Sequence, residues 1–163
     1  MGTPAFAVPV LTALLDAGHK VAGVYTQPDR PVGRRGRPAP SPVKEAALER
    51  GLPVYQPPSL KREAAQEELA GLTPDVIVVA AYGLFLPKAT LDLPPLGCLN
   101  VHPSLLPRYR GPSPVAAAIL SGDADTGVTV IRLDEGMDTG PIVAQRKTAI
   151  GADEDGASLT DRL

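Results

Sequence analysis

Tryptophan is absent from this 163-residue chain, aromatic residues make up only 4% of it, and it holds one cysteine and two histidines. Each scarcity excludes something. A lone Cys98 rules out an internal disulfide and fits a reducing compartment. Its place in the apolar run 97–101 makes it a packing residue rather than a nucleophile. His19, Cys98 and His102 lie far apart in sequence, so no metal-site spacing is present and no metal is expected. No apolar run approaches the ~20 residues that cross a bilayer, and the start lacks a charged segment followed by an apolar one. No membrane partner is therefore expected, and the cytoplasm is the default location. With few aromatics, aliphatic side chains must build the core. A formal charge of −2 gives no global attraction to nucleic acid, so any such contact must be local.

What the chain does have is proline (19 residues) and glycine (16 residues), which punctuate segments of alternating character. Residues 9–17 carry Val10, Leu11, Leu14 and Leu15 on one helical face, ahead of Gly18. Residues 20–26 read as a strand by their β-branched and aromatic content. A Pro-, Gly- and Arg-rich loop follows over 27–42. Ser41-Pro42 then opens a helix that Gly51 ends, and a short strand spans 52–55. A helix over 61–70 leads to 76–80, an uninterrupted apolar strand of the kind covered on both faces. Past a proline-rich connection come a strand at 97–101, a helix at 112–120, a strand at 127–133 and an extended stretch at 142–150. Helix begins again near residue 157, with Ser158 as its N-cap. Strands alternating with helices predict one α/β domain: a Rossmann-like, mostly parallel sheet flanked by helices. Met1-Gly2-Thr3-Pro4 reads as a turn leaving a first strand that is not there, which would leave a gap or an open edge in the sheet. Both ends are expected to be cut.

The chemistry concentrates at residues 97–110. Pro103 stops the strand just past Asn100 and His102, which are two apart and so share a face. In open α/β sheets, ligands bind beyond the carboxyl ends of the strands. An amide can donate to a developing oxyanion, and an imidazole exchanges protons near neutrality. That pair suits acyl transfer. A histidine at a strand end is also a common structural residue, and Asp-x-Gly, as at Asp138-Thr139-Gly140, is common turn chemistry. Ser104 has no acid or second histidine beside it in sequence to make it a nucleophile.

Asn100-x-His102-Pro103-Ser104-Leu105-Leu106-Pro107, followed by Asp134-Glu135-Gly136-Met137-Asp138-Thr139-Gly140, resembles the 10-formyltetrahydrofolate-dependent formyltransferase family over nearly the whole chain. The resemblance implies that Asn100, His102 and Asp138 form the catalytic set. Asp138 would either set the ionisation of His102 or position a bridging water, and these two roles stay open. It further implies that Tyr82, Gly83, Leu84, Phe85 and Leu86 and the 134–140 loop, with Asp134 and Gly136, receive the pteridine. Ser104, Leu105, Leu106 and Pro107 would shape the rim. Leu84 and Phe85 read equally well as core residues.

Residues 26–44 hold Arg30, Arg34, Arg35, Arg37 and Lys44 against the single acid Asp29, in a chain that is otherwise acidic. A basic, proline-stiffened loop beside a strand end suits contact with a phosphate backbone. Thr26-Gln27-Pro28-Asp29-Arg30-Pro31 with Pro40-Ser41-Pro42-Val43-Lys44 resembles the loop that the methionyl-tRNA branch of the family inserts against the tRNA acceptor stem. Its interior, Arg35-Gly36-Arg37-Pro38-Ala39, is rearranged relative to that pattern. Charge survives, so backbone contact rather than base reading is expected. The resemblance thus implies formyl transfer from 10-formyltetrahydrofolate to initiator methionyl-tRNA, with a C-terminal OB-like domain absent. Three alternatives remain: a formyltransferase acting on glycinamide ribonucleotide or a nucleotide sugar, a 10-formyltetrahydrofolate hydrolase, and an inactive folate- or RNA-binding fragment.

Overall fold

A computed structural model describes every residue except 32–35 and 37. A 3-10 turn (Ala5–Ala7) runs into α1 (Val8–Asp16), with Pro9 in its first turn, where no amide hydrogen is needed. Next come β1 (Val24–Tyr25), β2 (Arg30–Pro31), β3 (Pro38–Ala39), α2 (Pro42–Glu49) and β4 (Val54–Tyr55). Then follow α3 (Glu63–Gly71), β5 (Ile77–Val79), α4 (Lys88–Leu91), β6 (Cys98–His102) and α5 (Pro114–Leu120). The chain closes with β7 (Asp125–Arg132), β8 (Ile142–Ala149) and α6 (Gly156–Arg162). Among the described residues, no helix is long and apolar enough to cross a membrane.

The main sheet has the order β5-β6-β7-β8, and β1 pairs separately with β4. Both β1–β4 and β5–β6 are parallel, as the alternation of strands and helices predicts. The last two strands depart from that pattern: β6–β7 and β7–β8 are antiparallel. The short 133–141 connection explains the second of these, because a parallel return needs a crossover of a dozen or more residues. Strand 20–26 is shorter than expected, with only Val24 and Tyr25 in a ladder. The loop 27–42 carries an unforeseen two-stranded ribbon, β2–β3, pairing Arg30 with Ala39 and Pro31 with Pro38. Sequence also missed α4 inside the proline-rich connection, and it misplaced the last cap. Asp155, not Ser158, is the N-cap of α6: its carboxylate accepts from the amides of Ala157 and Ser158, and the Ser158 hydroxyl accepts from the Asp155 amide.

Met1 and Gly2 stand between the two parallel pairs. The Met1 amine donates to the Val78 carbonyl (2.6 Å), the Ala80 amide to Met1 (2.9 Å), and the Gly2 amide to Tyr25 (2.9 Å). Met1 lines a cavity of about 1140 Å³ together with Leu11, Leu14, Val24, Leu69 and Ile77.

Two apolar clusters form the core. Tyr25, Leu60, Leu69, Ile77, Val79, Tyr82, Leu86 and Cys98 make one; Ala7, Leu11, Val24, Val43, Ala47 and Ala80 make the other. Cys98 is buried against the Thr90 carbonyl, and desolvation pushes its thiol up to about 11. The expected result is that a disulfide reagent at pH 8 leaves Cys98 intact in the native protein and titrates one thiol after unfolding in guanidinium. Rapid native labelling would contradict the packing described.

Candidate active site

β6 delivers the first two functional side chains. Its Asn100 and His102 lie on one face, flanked by Val79 of β5 opposite Asn100 and by Thr129 of β7 opposite His102. Pro103 cannot supply the next ladder amide, so the strand ends where the imidazole emerges. His102 is buried, 5% exposed, and one ring nitrogen is committed: Nε2 lies 2.9 Å from the Tyr109 carbonyl. A carbonyl oxygen only accepts, so Nε2 carries a proton and the exchangeable position is Nδ1. Nδ1 faces the Asp138 carboxylate at 3.6 Å.

Asp138 ties the set together. Its Oδ1 accepts from Asn100 Nδ2 (3.2 Å), and its Oδ2 accepts from the Gly111 amide (2.9 Å). The residue sits at φ 53°, in the left-handed region, as does Tyr109 at φ 56°. Two non-glycine residues in that region, both holding His102, mark a backbone strained to aim side chains. The three expected catalytic residues are therefore brought into direct contact. Sequence missed the Tyr109 carbonyl and the Gly111 amide, although Gly111 at φ 92° marks the turn that presents it.

The neighbouring loops sort into supports and exposed surfaces. Asp134 is spent within its own loop, where Oδ1 accepts from the Gly136 amide (2.9 Å) and the Thr139 hydroxyl (2.7 Å). Ser104 is fully buried and its hydroxyl donates to the Arg108 carbonyl (2.7 Å), so its side chain organises the rim. Leu106 is likewise buried, while Leu105 is half-buried and Pro107 exposed. The rim is fixed from below by Thr129. Its hydroxyl donates to the Ser104 carbonyl (2.6 Å), accepts from the Leu106 amide (3.1 Å) and meets Gln145 Nε2 at 2.8 Å. Thr129→Val should therefore strand buried polar groups and cost about 1–3 kcal/mol in urea unfolding; an unchanged midpoint would remove Thr129 from this role.

The segment 82–86 divides in the same way. The Tyr82 and Leu86 side chains lie in the core, so only their main chain is open to a ligand, and Leu84 packs partly onto the same cluster. Gly83 and Phe85 stay exposed, with Lys61 Nζ 5.5 Å from the Phe85 ring centre. Gly83 is at φ 76°, and a Cβ there would overlap Gln27 Nε2. In the basic segment Arg30 is exposed on the β2–β3 ribbon, whereas Lys44 is held by Asp29 and Gln56. Arg34, Arg35 and Arg37 lie outside the described residues. Among the described residues no group of three or more His, Cys, Asp or Glu is gathered for a metal.

An amide, an imidazole and a carboxylate converging at a strand end of an α/β sheet are the parts of an acyl-group transferase. The family model described as formyl transferase matches residues 1–163, and the chain belongs to that family. Within it, the chain is 59% identical over 162 residues to a protein named methionyl-tRNA formyltransferase from Marinobacter nauticus, and 57% identical to one of the same name from Idiomarina loihiensis. The matches cover 99% of this chain and 52% and 51% of those relatives, so the chain spans about half their length. Among solved structures, it resembles a phosphoribosylglycinamide formyltransferase from Bacillus halodurans (26% identity, TM-score 0.80), covering 99% of this chain and 84% of that one. It also resembles glycinamide ribonucleotide transformylase 1 from Geobacillus kaustophilus (31% identity, TM-score 0.76), covering 99% and 86%.

Proposed function

We propose that this chain carries the catalytic unit of a methionyl-tRNA formyltransferase. It would act in the cytoplasm, moving the formyl group of 10-formyltetrahydrofolate to the amino group of methionine on initiator tRNA. The observation that carries the reading is the carboxylate of Asp138 shared by Asn100, the Gly111 amide and the face of His102. The names of the relatives at 55–59% identity support the acceptor.

In this reading the methionine amine attacks the formyl carbon and charge develops on the formyl oxygen. Asn100 Nδ2 donates to that oxygen. The amine loses a proton, the bond from the formyl carbon to folate N10 breaks, and N10 is left protonated. His102 handles that proton through Nδ1, because Nε2 is held by Tyr109. Asp138 keeps Asn100 and His102 aimed and balances the charge. For the pteridine, the residues that fit are those with exposed surface or backbone: Gly83, Phe85, Pro107 and Gly136. Tyr82, Leu86, Ser104 and Leu106 support those segments from behind, and Asp134 shapes its own loop through Gly136 and Thr139. Arg30, with Arg34, Arg35 and Arg37, supplies phosphate contacts.

The solved glycinamide ribonucleotide transformylases make that nucleotide the competing acceptor. The test is formyl transfer from 10-formyltetrahydrofolate with methionyl-initiator tRNA, glycinamide ribonucleotide or no acceptor. Formylation of the tRNA alone is the expected result. Turnover with the nucleotide but not the tRNA would replace the proposed acceptor, and turnover with neither, in the presence of folate consumption, would make the chain a hydrolase.

A further inference from the structure

We propose that Lys44, Asp29 and Gln56 form a clamp that positions the basic loop, so that Lys44 organises the nucleic-acid surface without being one of its phosphate contacts. The inference rests on the tRNA reading for its functional consequence.

The geometry is closed on itself. Lys44 Nζ donates to Asp29 Oδ2 (2.6 Å) and to Gln56 Oε1 (2.8 Å). Gln56 Nε2 donates to Asp29 Oδ1 (2.7 Å) and to the Gln27 carbonyl (2.9 Å). The Lys44 and Asp29 side chains are only 21% and 29% exposed. A lysine free to meet phosphate would keep its ammonium in water, as a snorkelling side chain does. Lys44 also stands in the first turn of α2, behind the Ser41 cap that accepts its amide (3.1 Å). A cation there is opposed by the helix dipole, so its position is one that a carboxylate partner must hold. The hydrogen bonds from Lys44 and Gln56 correspondingly keep the Asp29 carboxyl below the usual carboxylate range.

Position in the chain gives the clamp its purpose. Asp29 immediately precedes β2, and Lys44 follows β3 by way of the α2 cap, so the ion pair joins the two ends of the basic loop. Ordering a loop in advance lowers what its side chains lose on binding. The clamp also reaches the other ligand-facing segment: Gln27, held through its carbonyl, donates from Nε2 to the Tyr82 carbonyl (3.0 Å), which Thr3 Oγ1 also contacts (2.9 Å). The ribbon that presents Arg30 and the exposed Gly83 turn are thus set by one hydrogen-bonded chain.

The discriminating experiment compares K44M, D29N and the K44M/D29N double variant of the full chain, titrated with initiator methionyl-tRNA at several salt concentrations. A phosphate-binding Lys44 predicts that K44M lowers the salt slope by about one, and that D29N tightens binding by removing a repulsive charge. The clamp predicts that both single variants weaken binding about two- to tenfold. It also predicts that the double variant is no weaker than either single. Hydrogen exchange supplies a readout independent of RNA: the amides of Gln27, Asp29, Arg30, Ala39, Ser41, Val43 and Lys44 should exchange faster in both variants, and K44R should restore part of the protection. Tighter binding by D29N, or exchange unchanged in both variants, would overturn the clamp. If the wild-type chain shows no affinity for the tRNA while the exchange result holds, the tRNA reading fails and the clamp stands.

Discussion

Asn100→Ala should slow formyl transfer about 10²–10³-fold, the usual loss when one preorganised oxyanion donor is removed. The amide of Asn100 is aimed by Asp138 Oδ1 and by the β6 register between Val79 and Ile131, so no neighbouring side chain takes its place. His102→Ala should cost a comparable 10²–10⁴-fold, the range for a positioned acid–base group. Because Asp138 touches both, the losses should not add: the double variant is expected to fall close to the worse single one. The measurement is single-turnover formylation, with circular dichroism to establish that each variant folds. A drop of less than threefold for folded Asn100→Ala would remove it from the reaction.

Gly140→Ala should cost about 1–3 kcal/mol or more in denaturant unfolding, the range for forcing atoms into a packed site, and should abolish most activity as well. Gly140 is buried at the neck of the 133–141 loop. A Cβ there would overlap the Arg132 carbonyl and approach the Asp134 amide to 3.4 Å. The neck cannot simply open, since the Arg132 amide donates to the Pro141 carbonyl (3.0 Å). Asp138 lies two residues upstream, so strain at the neck displaces the carboxylate that holds Asn100 and His102. Gly71→Ala is the matched control: a Cβ there meets nothing within 4 Å, and its midpoint should stay or rise slightly. If the two variants unfolded alike, the tight neck would be wrong.

The Asn100–His102–Asp138 cluster was legible in part because it sits on a strand of known period and at a turn. Asn100 and His102 share a face for a local reason, whereas their contact with Asp138 came only through the family resemblance, not through spacing. Helices with a cap written beside them, such as α2 behind Ser41-Pro42, were placed within a residue. What escaped was decided at long range. That β7 and β8 run antiparallel depends on chain direction after a short connection, and alternation alone is blind to it. The residue type of Ser158 suits a cap, but Asp155 competes better for the amides of the first turn. The partners of Lys44 escaped because composition records sign and not contacts; Gln56, twelve residues on, is neutral and gave no signal. Within 82–86, only the three-dimensional packing tells that the Tyr82 and Leu86 side chains turn inward.

The ladders differ in length, and that bears on how the molecule comes apart. β1 and β4 pair at two positions, Val24 with Val54 and Tyr25 with Tyr55, whereas β7 and β8 pair at seven. Local openings are drawn from the parts of a fold with the fewest bonds to break. Native-state exchange should therefore register a lower opening free energy for the amides of Val24 and Thr26, bonded to Pro53 and Tyr55, than for Val130 or Ile131. The neighbourhood of the basic ribbon would yield first under stress, before the strands that hold Asn100 and His102.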